Sequence, residues 1–246
     1  MKIGIADYGL NVWDGGCYDS EERWLKLKRI GYAGIERLSV WGAEEALRGA
    51  SLLRRMGMDY ATVRCPSPEL SIQWTAALGK GYVWTAAAAD WDMDTVCRQI
   101  NRQAEACKRW GIRVAHHNHM GTSVETEEQL EQLLERSPAC KLILDVAHLA
   151  AAGGDCVEIV KKYGDRIEVI HVKDWFSVSE SEPVWSERGR FCILGEGNIG
   201  LDVVEVLRQA EMAGFDGWVF VEQDEHQADP FQELAASRAY LRRAGY

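Results

Sequence analysis

EACKRWGIRVAHHNH (105–119) contains a unit that recurs along this chain: a helical stretch with Lys or Arg near its end, a glycine, and a short β-branched run. The same unit occurs in LKLKRIGYAGIERLSV (25–40), in SLLRRMGMDYATVRC (51–65) and in LRQAEMAGFDGWVFVEQ (207–223), whose last helical turn lacks a basic residue. The glycine of each unit stands where a helix end needs positive φ, and basic side chains suit the negative end of the helix dipole. These glycines are Gly31, Gly57, Gly111 and Gly214.

Four further runs raise the number of predicted strands to eight. They are 2–6, 81–86, 140–145 and 167–173. Helices are expected at 20–29, 43–56, 93–109, 126–136, 155–163, 201–213 and 229–243, and 66–80 allows at most a short one. Strands that alternate with helices form a parallel sheet, and eight such units favour a single (β/α)₈ TIM-barrel domain over residues 1–246. The alternative is an open doubly wound sheet, but no G-x-G-x-x-G or Walker motif follows the first strand.

Charge and cysteine content limit the range of functions. The chain has 28 Lys and Arg against 38 Asp and Glu, a net charge of −10, which disfavours binding to nucleic acid or to an anionic membrane. Its seven cysteines are odd in number and show no C-x-x-C spacing, so we expect reduced thiols and a cytoplasmic protein. No apolar run reaches the length of a membrane span, and the chain starts directly with a strand, so neither insertion nor export is expected.

Polar residues end four consecutive predicted strands. His117 and His119 end the fifth strand, Asp145 the sixth, His171 the seventh and Glu222 the eighth. The carboxyl ends of the strands carry the active site of a TIM barrel, and a buried imidazole or carboxylate is costly unless it is paired or bound to metal. We therefore predict one divalent ion, Mn, Co, Zn or Fe, bound by Asp145, His171 and Glu222, with His117 or a water as the remaining ligand.

Each of these residues also has a purely structural explanation. Asp145 could cap the helix that follows it, and His171 could be a hydrogen-bonded core histidine. Glu222 could form an ion pair with Lys173 on the neighbouring strand. Four such residues at one level of successive strands nevertheless favour a metal site.

Other polar and aromatic residues are predicted to contact a substrate. His148 lies one helical turn after Asp145 and could orient that carboxylate or hold a substrate hydroxyl. Lys173 shares a strand face with His171, where its ammonium could bind a hydroxyl, an enolate or a carboxylate, or only form an ion pair. Trp13, Trp41 and Trp175 follow strands and could form an apolar wall. The long polar stretch 175–200 is interpreted as an active-site loop.

Several motifs together resemble those of the xylose isomerase-like TIM barrels, a family that includes sugar isomerases, ketose epimerases, inosose dehydratases and endonuclease IV. The matching stretches are GYAGIE (31–36), DVAH (145–148), HVKD (171–174), GEGNIGLDVVEVL (195–207) and FVEQD (220–224). The stretch HHNHMGTSVET (116–126) resembles inosose dehydratases most closely. The resemblance implies a divalent metal, a small sugar or cyclitol substrate, and a substrate contact by Glu36. A homo-oligomer is also compatible with it.

The fifth strand departs from the pattern of the isomerases and epimerases. Those proteins usually have E-N-H where this chain has His117-Asn118-His119, so one of their two catalytic carboxylates is missing. With Glu222 as base and His117 or His119 as acid, the resemblance implies elimination of water from a keto-polyol or sugar. The alternative is a ketose isomerase or 3-epimerase, and more remote alternatives are an abasic-site endonuclease and a non-catalytic sugar-binding protein.

Overall fold

Parallel β-strands form the wall of a nearly closed barrel in the computed structural model, which describes residues 1–179 and 182–246. The strands are β1 (Lys2–Ala6), β2 (Gly34–Ser39), β3 (Asp59–Arg64), β4 (Tyr82–Trp84), β5 (Arg113–His117), β6 (Lys141–Asp145), β7 (Ile167–Val172), β8 (Asp174–Ser177), β9 (Gly189–Cys192) and β10 (Trp218–Glu222). Eight of them form one sheet in the order β3-β2-β1-β10-β7-β6-β5-β4, and β8 and β9 form a separate pair. The predicted (β/α)₈ barrel is confirmed.

The barrel closes where its two edge strands, β3 and β4, meet. The hydroxyl of Thr62 on β3 donates a hydrogen bond of 2.6 Å to the backbone carbonyl of Tyr82 on β4. Both residues are buried, so this side-chain contact is shielded from water. It joins the two edges that backbone pairing leaves open in the described sheet.

Helices connect the strands on the outside of the barrel. They are α1 (Tyr8–Trp13), α2 (Ser20–Ile30), α3 (Ala43–Arg55), α4 (Pro68–Ala77), α5 (Met93–Arg109), α6 (Glu127–Arg136), α7 (Val146–Ala151), α8 (Cys156–Tyr163), α9 (Val203–Met212) and α10 (Pro230–Arg243). The seven predicted helices are present with nearly the predicted bounds. The short helices α1 and α7 were not predicted, since six residues are too few to show a helical period. The four glycines at the helix ends have φ between 65° and 104°, as expected.

The strand alternation decides what lies inside the barrel. Ile143 on β6 and Val169 on β7 belong to a buried layer across the barrel interior, and Asp145 and His171 follow two residues later on the same faces. The other members of this layer are Ala6, Ala61, Tyr82, Ala115 and Phe220. The apolar layer therefore closes the barrel from below, and the polar strand ends lie directly above it.

The predicted active-site loop at 175–200 is largely an ordered hairpin. Strand β8 pairs antiparallel with β9, and a short 3-10 helix covers Trp185–Glu187. Asp174 closes the base of the hairpin, because its Oδ2 accepts hydrogen bonds from the backbone N–H groups of Gly195 (2.8 Å) and Gly197 (3.1 Å). A Cβ at Gly197 would lie 1.9 Å from Oδ1 of Asp174, so glycine is required there. The part of the prediction at 180–181 lies outside the described residues.

Two expectations from composition concern the whole chain. Within residues 1–179 and 182–246, every helix is too short or too polar to cross a membrane. All seven cysteines are free thiols, and four of them are buried.

Candidate active site

The four predicted metal ligands come together at the carboxyl ends of β5, β6, β7 and β10. One ligand atom from each of His117, Asp145, His171 and Glu222 lies within 4.8 Å of the others. His171 Nδ1 is 2.8 Å from Oε2 of Glu222, and His117 Nε2 is 3.2 Å from Oδ2 of Asp145. Two imidazoles and two carboxylates are donors that Zn, Mn, Co and Fe accept and that Ca does not favour, so this donor set fits the predicted metal.

Asp145 contacts both the start of the helix that follows it and the other residues of the candidate metal cluster. Its Oδ1 accepts hydrogen bonds from the backbone N–H groups of Ala147 (3.1 Å) and His148 (3.0 Å), which caps α7. Its Oδ2 faces His117 and the Lys173 ammonium, the latter at 3.2 Å. Burial opposes ionisation of this carboxyl, but the nearby positive charges, Lys173 first, outweigh it and hold its pKa well below the usual range.

Glu36 was predicted to contact substrate, and the structure corrects this. The carboxylate is fully buried behind His171, where Oε2 of Glu36 and Nε2 of His171 face each other at 3.2 Å. Oε1 of Glu36 accepts hydrogen bonds from the Tyr82 hydroxyl (3.0 Å) and from Nε1 of Trp84 (2.8 Å). A carboxylate 3.2 Å from Nε2 favours a proton on that nitrogen, which would leave Nδ1 free to bind a metal.

The electrostatics around His171 attract a cation. Burial alone would lower the pKa of His171, but the carboxylates of Glu36 and Glu222 outweigh burial and raise it to about 10. Either a proton or a metal ion at His171 would supply the positive charge that these two carboxylates stabilise.

Lys173 lies in the middle of the acidic groups. Its Nζ is 2.9 Å from Glu222, 3.2 Å from Asp145 and 2.9 Å from Asp224. These carboxylates raise its pKa against the effect of burial. The predicted ion pair with Glu222 is therefore present, and Lys173 also lines the cavity above the site. Asp224 was not predicted as a site residue, although it follows Glu222 by two residues, the spacing that puts side chains on one face of an extended chain.

His148 was predicted to contact substrate, but it is fully buried beneath the cavity. Its Nε2 lies 3.2 Å from Nζ of Lys173, and Nδ1 accepts a hydrogen bond of 3.4 Å from the backbone N–H of Met120. Burial and the Lys173 charge lower the pKa of His148 to about 4, so this ring is neutral at pH 7. His119 stacks above it with ring centroids 3.7 Å apart, and the two rings form a second group of possible metal ligands with Asp224.

A cavity of about 440 Å³ opens above these residues, which is enough for a small polyol. Its polar lining includes His117, His119, Lys173, Glu222 and Asp224. Its aromatic lining consists of Tyr8, Trp84, Trp175, Trp185 and Phe191. Three indoles and two other aromatic rings are suited to the C–H faces of a sugar ring.

The aromatic wall differs in part from the prediction. Trp175 lines the cavity, as expected. Trp13 does not: its exposed ring lies edge-on to His226, with centroids 6.4 Å apart, and its neighbour on α1, Val12, lines the cavity instead. Trp41 is 81% exposed and lies outside this cavity. No sequence pattern predicts that Trp185 lines the cavity, because only the folded hairpin of β8 and β9 brings this residue over the barrel opening.

The fold and the site define a TIM barrel with a His/carboxylate cluster at the carboxyl ends of its strands. Residues 24–244 match the family model described as xylose isomerase-like TIM barrel, and the chain belongs to this family.

Two relatives and two solved structures illustrate the similarity. The inosose dehydratase of Geobacillus thermodenitrificans is 30% identical over 166 residues, 62% of this chain, and that match spans only about half of the relative, 54% of its length. The inosose dehydratase of Lactiplantibacillus plantarum is 28% identical over 93% of this chain and 82% of the relative. The probable 3-DHS dehydratase AsbF of Bacillus anthracis has a TM-score of 0.75 at 16% identity, with 98% of this chain and 99% of that chain covered. The IOLI protein, solved with a bound zinc atom, has a TM-score of 0.69 at 15% identity, with 100% and 96% covered.

Proposed function

We propose that this protein is a metal-dependent dehydratase that eliminates water from a small keto-polyol or cyclitol. The similarity to proteins named inosose dehydratase supports the reaction class. The observation that carries the proposal is the cavity lining at the end of β5, where the imidazoles of His117, the last residue of this strand, and of His119 stand in place of a carboxylate. A symmetric two-base exchange needs a carboxylate at that position.

The metal site would be formed by Asp145, His171, Glu222 and His117, and a divalent ion there would polarise the substrate carbonyl. Zinc in the related IOLI protein supports this assignment.

We assign to Glu222 the role of the base that removes the proton next to the carbonyl. Burial raises the pKa of this carboxyl, but Lys173 and His171 outweigh burial and hold it well below the usual range, so Glu222 is ionised before the reaction. The Lys173 ammonium, 2.9 Å away, lies at the same edge of the cavity and is positioned to stabilise the negative charge that develops on the substrate oxygen.

His119 is the better candidate for the acid that expels the hydroxyl group. Its Nδ1 donates a hydrogen bond of 2.5 Å to the backbone carbonyl of Met120, so His119 would act as the acid in its doubly protonated form, through the proton on Nε2. His117, by contrast, directs Nε2 toward Asp145 within the candidate metal cluster. The proton taken by Glu222 and the hydroxyl protonated by His119 together account for one water.

A ketose isomerase or epimerase is the second candidate. Asp224 and Glu225 also line the cavity, so a further carboxylate is available near Glu222 for returning a proton. Both follow Glu222 on the β10 side of the barrel, which favours exchange on one face of the substrate over transfer between opposite faces. The products distinguish the two functions, because only the dehydratase loses water.

The test is to supply 2-keto-myo-inositol and a panel of ketoses to protein that has been stripped of metal and reloaded with Mn, Co, Zn or Fe. The expected product is an unsaturated ketone detected by its ultraviolet absorbance and mass. The variant His117→Glu should lower elimination and increase deuterium uptake from solvent without loss of water, whereas the matched control His117→Gln should only lower elimination. Clean epimerisation by the natural protein, without any unsaturated product, would contradict the dehydratase proposal.

A further inference from the structure

Arg37 is a nearly buried cation without a hydrogen-bond partner in the described chain. Its side chain is only 13% exposed, and its nearest acidic contact, from Nε to Oε2 of Glu36, is 3.8 Å. The Cζ atom of its guanidinium lies over the Trp84 indole, 4.4 Å from the ring centroid. Stacking covers the face of a guanidinium and leaves its N–H edges available. The carboxylates of Glu36, Glu222 and Asp7 raise the pKa of Arg37 against burial, and its N–H groups are available to a ligand in the cavities that it lines.

Arg64 brings a second positive charge to the same place. It lies at the end of β3, next to the β2 strand that carries Arg37, and it forms no ion pair or hydrogen bond through its guanidinium with any described residue. Burial and the charge of Arg37 both lower the pKa of Arg64, which indicates that the two cations repel each other. Both arginines line one cavity, where an anion bound between them would be stabilised.

Both arginines line a second cavity of about 260 Å³. Thr62, Ser67, Ser71 and Thr85 contribute to its lining, and none of the described lining residues is acidic. The absence of Asp and Glu is notable in a chain with a net charge of −10. Helix α4 begins at this cavity, which directs the positive end of a ten-residue helix toward it.

The small cavity adjoins the catalytic one. Arg37 and Trp84 line both. On its other side, Trp84 packs against His117, with ring centroids 4.9 Å apart, and against His171, at 5.7 Å. A ligand that passes the edge of this indole would reach both the candidate metal cluster and the two arginines.

We infer that Arg37 and Arg64 form a subsite for an anionic substituent of the substrate, a carboxylate or a phosphate, next to the reacting keto-polyol. This inference rests on the proposed function, which concerns the reacting end of the substrate. It adds that the substrate carries a negatively charged group. Arg37 binds the anion edge-on from its stack with Trp84, and Arg64 closes the site from the solvent side. The natural substrate is therefore an acidic keto-polyol and not a neutral cyclitol.

The experiment compares three ligands with the metal-loaded protein: 2-keto-myo-inositol, its monophosphate, and a keto-cyclitol of the same ring size that carries a carboxylate. Binding is measured by calorimetry and turnover by the ultraviolet assay. At least one anionic ligand should bind about 10-fold or more tightly than the neutral one, and the comparison of phosphate with carboxylate identifies the group. Arg64→Gln and Arg37→Gln should each reduce this preference about 10- to 100-fold, the loss expected when a charge-assisted hydrogen bond is removed.

The controls separate the subsite from a general effect of charge or folding. Arg54→Gln removes the same charge from an exposed position on α3 and should leave the preference unchanged. Arg37→Lys keeps the charge and should restore part of the binding lost in Arg37→Gln. For Arg64→Gln, KM for the anionic substrate should rise while kcat changes little.

Two results would overturn the inference: equal binding of neutral and anionic ligands by the natural protein, or equal effects of Arg64→Gln and Arg54→Gln. Neither would affect the proposed dehydration if 2-keto-myo-inositol is still converted. Conversely, tight anion binding that depends on Arg64, without any elimination product, would support the subsite and contradict the proposed reaction.

Discussion

The substitution Glu36→Gln tests how the protein prepares His171 to bind a metal. The carboxylate of Glu36 is enclosed by three groups: the Tyr82 hydroxyl and Trp84 Nε1 at Oε1, and His171 Nε2 at Oε2. Glutamine has the same shape but one oxygen and one NH₂ group. The indole N–H of Trp84 can only donate, so the glutamine oxygen must stay at the Oε1 position and the NH₂ group must face His171.

This orientation reverses the tautomer of the imidazole. An NH₂ group opposite Nε2 requires a lone pair there, which moves the His171 proton to Nδ1, the atom 2.8 Å from Glu222 inside the candidate metal cluster. Loss of such an outer partner commonly lowers metal affinity about 10- to 100-fold, or about 1.4 to 2.7 kcal/mol. We expect the upper part of this range, because the variant presents a wrong donor in addition to losing a charge.

The assay is calorimetric titration of stripped protein with Mn²⁺, Co²⁺ and Zn²⁺, together with ¹⁵N NMR of the His171 ring to identify the protonated nitrogen. The double variant Glu36→Gln/Trp84→Phe removes the donor that fixes the amide, so the glutamine can turn and part of the affinity should return. Tyr82→Phe, which removes one donor but keeps the carboxylate, should have a smaller effect than Glu36→Gln. Unchanged affinity in Glu36→Gln, or no recovery in the double variant, would refute the tautomer argument.

Two further substitutions test the site and the scaffold. Asp145→Asn and His171→Ala should abolish metal binding and activity, with circular dichroism spectra like that of the natural protein; cooperative unfolding on loss of the metal would instead make the ion structural. Gly9→Ala should destabilise the protein by about 1 to 3 kcal/mol in denaturant titrations, because its Cβ would lie 1.8 Å from the backbone oxygen of Gln223, whereas Gly42→Ala, with open space around the added carbon, should cost only the smaller loss of glycine as the N-cap residue of α3.

The fold was predictable because its information is local. Each repeated unit encodes a helix, a helix end and a strand within about fifteen residues, and the glycines at the helix ends have the positive φ that their positions predicted. The period of two along a strand likewise placed His171 and Lys173 on one face. The short helices α1 and α7 escaped prediction because neither is long enough to show a period.

The contacts inside the site were less predictable, because they join residues from distant strands. Glu36 on β2 meets His171 on β7 only because the barrel closes, and no local pattern states which residues face each other across it. Trp84 belongs to a strand of three residues, yet it contacts Glu36 and Arg37 as well as the rings of the candidate metal cluster. Asp224 is different, because its position two residues after Glu222 could have predicted that it lies close to the site.

Asp145 shows why a structural and a functional interpretation of one residue need not compete. A carboxylate has two oxygens, and here Oδ1 caps α7 while Oδ2 faces His117 and Lys173. The cap fixes the side-chain rotamer, so Oδ2 is held toward the cluster before any ligand arrives. Asparagine retains an oxygen for the cap but lacks the second negative oxygen. Asp145→Asn therefore separates the two roles within a single side chain: the helix should persist while metal binding is lost.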